Sequence, residues 1–236
     1  MAHRRQMPRL LALAAAALLL APLAFTTRLN IWLQSLASPP LTLAMNLVSL
    51  LGYTASYIVF AAILGIFWKR RAAIALIALL ALNAIVIDAA KALVDHPRPD
   101  AVDRRVHNLG FFSPSNLHAM RQSRSQSLIH HSFVVILDTL APPATTSGVE
   151  DDYGFPSGHV SAATVFCLGL PWFFGLRRRW IGLLVWVPAM AISRMYLGRH
   201  FAGDVLGGFA IGIVIAIIGA ELLGLVLVPR ERPQSA

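Results

Sequence analysis

Residues 72–94 read AAIALIALLALNAIVIDAAKALV, and this stretch decides the class of fold. An α-helix needs about 20 mostly apolar residues to cross the hydrocarbon core of a bilayer. The stretch meets that requirement with only Asp88 and Lys91 charged, and it therefore predicts a transmembrane helix. Five further apolar runs are also candidates for spans: Leu10–Phe25, Leu43–Trp68, His159–Leu176, Trp180–Tyr196 and Val205–Val228.

The composition of the whole chain supports this interpretation. Of its 236 residues, 57% are hydrophobic and 13% are charged, and the mean hydropathy is +0.66. A soluble protein carries roughly 25% charged residues, so a soluble domain, a disordered chain and a coiled coil are all disfavoured. We expect an all-α polytopic integral membrane protein with about six transmembrane helices, forming one membrane-embedded domain over residues 1–236.

Two segments near the start have a second interpretation. Three arginines before Leu10–Leu20 are also typical of a secretory signal peptide, although no clear cleavage site follows. The stretch Leu29–Leu36 has apolar residues at helical spacing and is too short to span, so it predicts an interfacial helix before Pro39 and Pro40.

The charge distribution orients the chain. Lys and Arg total 20 against 11 Asp and Glu, which is a formal net charge of +9. The cations lie in short clusters beside apolar runs, which favours a membrane protein over a nucleic-acid-binding one. A six-helix count puts four clusters on one face, which the positive-inside rule makes cytoplasmic: Arg4/Arg5/Arg9, Lys69/Arg70/Arg71, Arg177/Arg178/Arg179 and Arg230/Arg232. The long loop 95–156 between the third and fourth helices then lies outside the cytoplasm.

Polar residues gather in three groups at helix ends on that outer face. Lys91 and Arg98 close the third helix, Ser157-Gly158-His159 opens the fourth, Arg194 closes the fifth, and His200 and Asp204 lead into the sixth. Three cations suit a ligand with about two negative charges on several oxygens, since guanidinium groups form paired bonds to phosphate. Backbone N–H groups at a helix start favour the same anion.

The remaining polar residues suit phosphoryl transfer. Two histidines supply a nucleophile and a proton donor, and a carboxylate orients one imidazole. Since the sequence has no Asp/Glu cluster typical of a metal site, we expect no metal and no other cofactor. The one cysteine, Cys167, excludes an internal disulfide.

The order and spacing of these residues resemble a known family. Lys91-x6-Arg98-Pro99, Pro156-Ser157-Gly158-His159 and Ser193-Arg194-x5-His200-x3-Asp204 are similar to the three-part signature of the type-2 phosphatidic acid phosphatases, the lipid phosphate phosphatase and vanadium haloperoxidase superfamily. Every fixed position of the signature is filled, over just under half of the chain.

The resemblance implies a metal-independent lipid phosphatase and gives each residue a role. His200 would attack phosphorus to form a phosphohistidine, Asp204 would orient His200, and His159 would protonate the leaving oxygen and then activate water. The phosphoryl oxygens would be held by Lys91, Arg98, Arg194, Ser157 and the Gly158 amide.

Other functions remain open at this stage. A lipid phosphotransferase would use the same phosphohistidine, and an anion or lipid transporter would use the cations alone. A haloperoxidase shares the motifs but is soluble.

The substrate could be phosphatidate, phosphatidylglycerol phosphate, undecaprenyl diphosphate or a lipid A phosphate. We expect a bacterial inner membrane protein whose site faces the periplasm and whose partners are the bilayer and a lipid phosphate, not nucleic acid. The sequence does not fix the oligomeric state.

Overall fold

The computed structural model describes residues 7–94, 96–111, 153–175 and 179–227. Most of the predicted loop 95–156 and the predicted basic residues Arg177, Arg178, Arg230 and Arg232 lie outside these ranges. Within them the chain is mostly helical and contains no strand, although an isolated antiparallel bridge joins Pro97 to Tyr153.

The helices are α1 (Met7–Leu20), α2 (Arg28–Ser35), α3 (Pro39–Leu51), α4 (Thr54–Phe67), α5 (Arg70–Val94), α6 (Pro99–Val102), α7 (Gly158–Phe174), α8 (Arg179–Tyr196) and α9 (Ala202–Leu227). A 3₁₀ turn, Ala21–Ala24, follows α1. Proline stands in the first turn of α3, where its missing N–H costs nothing. Helix α7 ends at Gly175, which adopts the left-handed conformation that commonly closes a helix.

Helix α7 forms the centre of the bundle. It packs against α5, α8 and α9, while α1 covers α9, α4 covers α5 and α3 covers α8. The buried face of α5 includes Leu76, Leu79, Asn83 and Ile87, which recur every three or four residues as a helical stripe requires. Ser161 of α7 donates a buried hydrogen bond of 2.6 Å to the Asn83 side chain, and this bond fixes α7 against α5.

Glycines bring α7 and α9 together. A Cβ atom on Gly208 would meet the Ser157 backbone, and one on Gly212 would lie 2.8 Å from the Ser161 carbonyl oxygen. Small residues at a helix interface let two backbones approach closely in lipid, where packing replaces the hydrophobic effect. Gly208 and Gly212 stand four apart, so they share one face of α9, and this face packs on α7.

The prediction of one uninterrupted helix over Leu43–Trp68 is wrong. The chain breaks at Gly52 and Tyr53, and α3 and α4 meet at a bend of 61°. Tyr53 has an extended backbone, and Gly52 packs closely on the end of the Met190 side chain of α8. Apolar composition predicts burial in lipid but does not predict that a helix continues.

The outer surface of the bundle is apolar, as lipid contact requires. Large side chains are widely exposed on it, among them Leu23, Phe67 and Leu93. Within the described ranges, three helices are long and apolar enough to cross a membrane, Met7–Ala24, Arg70–Val94 and Ala202–Leu223, and the bent α3–α4 pair raises this to four. The protein is integral to the membrane, while the six predicted spans stay a prediction.

The described basic clusters lie at one end of the bundle. Lys69 donates a hydrogen bond of 3.4 Å to the Phe174 carbonyl, so the α4–α5 turn lies beside the end of α7. The end of α1 touches the start of α9, since the Ala21 carbonyl lies against Gly203. Arg9 at the start of α1 is therefore distant from the α9 start, where the predicted site residues gather.

Candidate functional site

His200 and Asp204 form a buried pair at the start of α9. Nδ1 of His200 lies 3.5 Å from Oδ2 of Asp204, and the same oxygen accepts a 2.8 Å hydrogen bond from the Phe201 N–H. The aspartate is fully buried and His200 is only 4% exposed. The carboxylate thus faces Nδ1, which leaves Nε2 on the opposite edge of the ring to meet a ligand.

The loop that carries His200 is held from two sides. Gly198 turns the chain after α8 with a φ of 74°, and a side chain there would collide with the His107 carbonyl. From α2, the Asn30 amide donates 2.9 Å bonds to the carbonyls of Met195 and His200. Sequence reasoning missed Asn30. The feature that could have identified it was a polar amide side chain in the stretch interpreted as an interfacial helix. The structure buries it completely.

The environment of His200 keeps its imidazole neutral. Burial lowers the pKa of His200 well below its usual value, and the positive charges of Arg194 and Arg98 lower it further, with contributions from His159 and Lys91. A neutral imidazole is the form that can attack an electrophile. These four groups therefore lie within electrostatic reach of His200, although they come from separate parts of the chain.

The start of α7 is tied to the start of α9. The Ser157 N–H donates a 3.0 Å bond to the Asp204 carbonyl, while Gly158 packs on Ile87 of α5. Among the described residues, Ser157 Oγ and His159 Nε2 are buried and have no hydrogen-bond partner. Buried polar groups in native structures are nearly always satisfied, so both atoms can take a further bond from a ligand.

Arg194 of α8 supplies a buried cation. Its Nη1 donates a 2.5 Å bond to Ser49 Oγ of α3, and its Nε is buried with no hydrogen-bond partner in the described ranges. Lys91, in the last turn of α5, and Arg98, directly before α6, are both half-buried. Three cations around two histidines form a site suited to an oxyanion of high charge.

The broken α3–α4 pair adds residues that sequence reasoning did not select. The Tyr53 ring meets the His159 ring edge-on, with centroids 4.6 Å apart, and Ser49 holds Arg194. Both residues were hidden in a run interpreted as one lipid-embedded helix. The adjacent Gly52 and Tyr53, a potential breaker and a polar aromatic in an apolar run, were the signal that could have identified the bend.

A polar cleft opens beside Arg194. It has about 440 Å³ of empty volume, part of which is open to solvent. Among the residues that line it are Asn46, Ser49, Tyr53, Asn108 and Arg199. The Asn46 amide donates bonds to the carbonyls of Thr42 and Leu109 and accepts one from the Phe111 N–H, which fixes this wall. The cleft offers hydrogen-bonding groups next to the cationic site.

The described residues offer no typical metal site. In those ranges no three His, Cys, Asp or Glu side chains group as metal ligands would. The histidines His118, His130 and His131 of the predicted loop lie outside the described residues.

Comparisons with known proteins agree with the motifs. The family model described as the PAP2 superfamily matches residues 72–224. The chain is 40% identical over 94 residues to lipid phosphate phosphatase gamma of Arabidopsis thaliana, an alignment covering 34% of this chain and 40% of that protein. It is 38% identical over 76 residues to phosphatidylglycerophosphatase B of Bacillus subtilis, covering 28% and 37%. The chain therefore spans about two fifths of the length of these relatives.

Two further similarities cover more of the chain. Decaprenylphosphoryl-5-phosphoribose phosphatase of Mycobacterium tuberculosis is 28% identical over 160 residues, covering 57% of this chain and 86% of that protein. The crystal structure of a transmembrane PAP2 type phosphatidylglycerolphosphate phosphatase from Bacillus subtilis aligns with a TM-score of 0.61 and 19% identity, covering 94% of this chain and 98% of the other. At that identity the likeness concerns the fold alone.

Proposed function

The chain belongs to the PAP2 superfamily, and from this premise we propose that it is a metal-independent lipid phosphatase. It hydrolyses a phosphomonoester or a terminal diphosphate of a membrane lipid through a phosphohistidine. The observation that carries the proposal is the buried pair of His200 and Asp204, 3.5 Å apart, within reach of His159 and three cations.

In the first step, Nε2 of neutral His200 attacks phosphorus. A P–N bond forms as the P–O bond to the lipid breaks, and His159 gives a proton to the departing oxygen. Asp204 stabilises the positive charge that develops on His200, as a carboxylate does in a hydrolase triad. Lys91, Arg98, Arg194, Ser157 and the Gly158 N–H hold the three phosphoryl oxygens, whose charge spreads in the transition state.

In the second step, His159 takes a proton from a water molecule. The resulting hydroxide attacks phosphorus, the P–N bond breaks, and inorganic phosphate leaves with His200 neutral again. General acid–base help of this kind is worth about 10²–10⁴-fold in rate. The pKa of His200, lowered by burial and by Arg194 and Arg98, supports its role as the attacking group.

The surroundings of the site favour a lipid substrate. Apolar side chains such as Leu93 and Val94 are exposed at the end of α5, a few residues from Lys91. Acyl or prenyl chains can rest on such a surface while the phosphate enters the cationic site. The cleft beside Arg194 suits the polar part of a head group, in keeping with the substrates that the relatives' names describe.

The experiment is phosphate release by the purified protein in detergent micelles, with EDTA present. The panel is phosphatidate, phosphatidylglycerol phosphate, undecaprenyl diphosphate and a lipid A phosphate. Release from at least one lipid, inhibited by vanadate and lost in His200→Ala, is the expected result. Activity that disappears in EDTA and returns with magnesium contradicts the metal-independent route. Transfer of labelled phosphate to a second lipid instead of water identifies a phosphotransferase.

The same proposal places the site on the periplasmic face of a bacterial inner membrane. The native Cys167 is buried, so an introduced cysteine can be labelled selectively. Arg104→Cys, on the site side, should react with a membrane-impermeant thiol reagent in intact cells. Arg71→Cys, at the opposite end, should react only after lysis, and the reverse pattern means an inverted topology.

A further inference from the structure

Asp204 faces two imidazoles. Its Oδ2 accepts the Phe201 N–H and lies beside His200, whereas its Oδ1 lies 3.9 Å from Nδ1 of His96. Both Asp204 Oδ1 and His96 Nδ1 are buried, and neither has a hydrogen-bond partner among the described residues. A buried carboxylate oxygen without a donor is costly, and so is a buried ring nitrogen. Each atom is therefore the natural partner of the other.

The position of His96 is set by its neighbours. Its ring lies against Phe25, with centroids 4.3 Å apart, and meets Phe201 edge-on at 5.5 Å. Its carbonyl accepts a 2.6 Å hydrogen bond from the Gly154 N–H, and the adjacent Pro97 pairs with Tyr153. The imidazole is thus packed in a cluster with these two phenylalanine rings and held along its backbone.

The same contacts enclose Asp204. A Cβ atom on Gly154 would lie 2.9 Å from Asp204 Oδ2 and 3.1 Å from the Pro97 carbonyl, so only glycine fits between them. The aspartate is fully buried, while the His96 side chain is 30% exposed. His96 therefore stands between the outer surface and the carboxylate that orients His200.

We propose that His96 is a positioning residue that donates from Nδ1 to Oδ1 of Asp204 and so fixes the carboxylate plane. With Oδ1 held, Oδ2 stays aimed at Nδ1 of His200, and Nε2 stays aimed at phosphorus. The proposal rests on the proposed function. His96 falls among the six unspecified positions between Lys91 and Arg98, so the signature does not assign it. The two atoms must approach by roughly 1 Å to reach hydrogen-bond distance.

Two substitutions separate the hydrogen bond from the packing. His96→Asn keeps a donor close to the position of Nδ1 but loses the ring that packs on Phe25 and Phe201. His96→Phe keeps the ring and loses the donor. The controls are His107→Asn and His107→Phe, the same changes at an exposed histidine of the same outer segment. The assay is release of phosphate from whichever panel lipid the wild type hydrolyses, with kcat and KM measured separately.

We expect His96→Phe to lower kcat by roughly 10- to 100-fold with KM little changed, as the loss of a hydrogen bond to a charged group predicts. His96→Asn should retain most of the wild-type kcat, and both His107 variants should match the wild type. If His96→Phe does not yield folded protein, His96→Leu makes the same comparison with His96→Asn.

Three results overturn the inference: wild-type kcat in His96→Phe, an equal loss in both His96 variants, or a change confined to KM. The variant His200→Ala distinguishes a failure of the His96 inference from a failure of the proposed function. If His200→Ala is inactive while His96→Phe is fully active, only the role of His96 is refuted. If His200→Ala remains active, the covalent route itself is wrong.

Discussion

Two helix pairs contribute to the site, and they pack in different ways. α7 and α9 meet backbone to backbone at Gly208 and Gly212, and α7 is buried along most of its length. α3 and α4 meet at a 61° bend and expose large apolar side chains, among them Leu51 and Phe67. The first pair is the centre of the bundle, whereas the second lies at its edge.

The two helix pairs contribute different groups to the site. The groups proposed to make and break bonds, His159, His200 and Asp204, lie on or directly before the closely packed pair, where the backbone has little freedom. Ser49 and Tyr53 reach the same site from the bent pair and touch Arg194 and His159 from the side. We therefore expect changes in the first pair to lower kcat, and changes in the second to act mainly through substrate binding.

The largest expected effects belong to the two histidines of the packed pair. His200→Ala should lower kcat on a lipid phosphomonoester by about 10⁴-fold or more, because the covalent route is lost. His159→Ala should lose about 10²–10⁴-fold on the lipid, but much less on p-nitrophenyl phosphate, whose leaving group departs as a stable anion. The measurement is turnover of both esters at saturating concentration.

Asp204→Asn serves as the control for this contrast, since it should slow both esters alike through loss of imidazole orientation. Rescue of His200→Ala by the aryl ester, or equal rescue of both histidine variants, means that the two roles are exchanged or that no phosphohistidine forms.

A second test acts on the contact between α7 and α9. Gly208→Ala puts a methyl group against the Ser157 backbone, whose N–H binds the Asp204 carbonyl. We expect a loss of stability of about 1–3 kcal/mol from overpacking and a fall in kcat of about 10²-fold from displaced groups. Thermal unfolding and kinetics in detergent measure the two effects.

Gly182→Ala in α8 is the matched substitution. Among the described residues, a Cβ atom there would meet the Cys167 side chain alone, with Sγ 3.2 Å away. We therefore expect a smaller loss of stability and nearly normal kcat. Equal effects of the two substitutions would show that the α7–α9 contact has no special importance.

The smallest effects are expected at the bend. Ser49→Ala removes the hydrogen bond to Arg194. Because Arg194 itself and the other phosphate-binding groups remain, KM should rise by roughly 3- to 10-fold with kcat little changed. Ser56→Ala is the control, because the exposed Ser56 hydroxyl at the same bend donates to the Leu50 carbonyl and not to Arg194. A kcat loss as large as that of His159→Ala would place Ser49 in the chemical step.

Sequence reasoning went furthest where a residue's role depends on local spacing. His200 lies two residues before α9 and Asp204 lies in its first turn, so local spacing along the chain brings them close. Gly208 and Gly212 stand four apart within α9, so helical geometry puts both on one face. Sequence reasoning failed for Asn30, Ser49 and His96, since each faces a partner at least 100 residues away in the chain. No local pattern records such a contact.

The sequence by itself determined that this protein lies in the membrane, that its described basic clusters share one end, and which residue types meet at the other. Those properties depend on composition, helical period and the order of segments, all of which are present in the sequence itself. Only the tertiary structure decided that α3 and α4 are separate, that Asn30 fixes the His200 loop, and that His96 lies beside the Asp204 carboxylate. These depend on close contacts between distant segments, because the distance between two side chains is set by how helices pack and not by their separation in sequence.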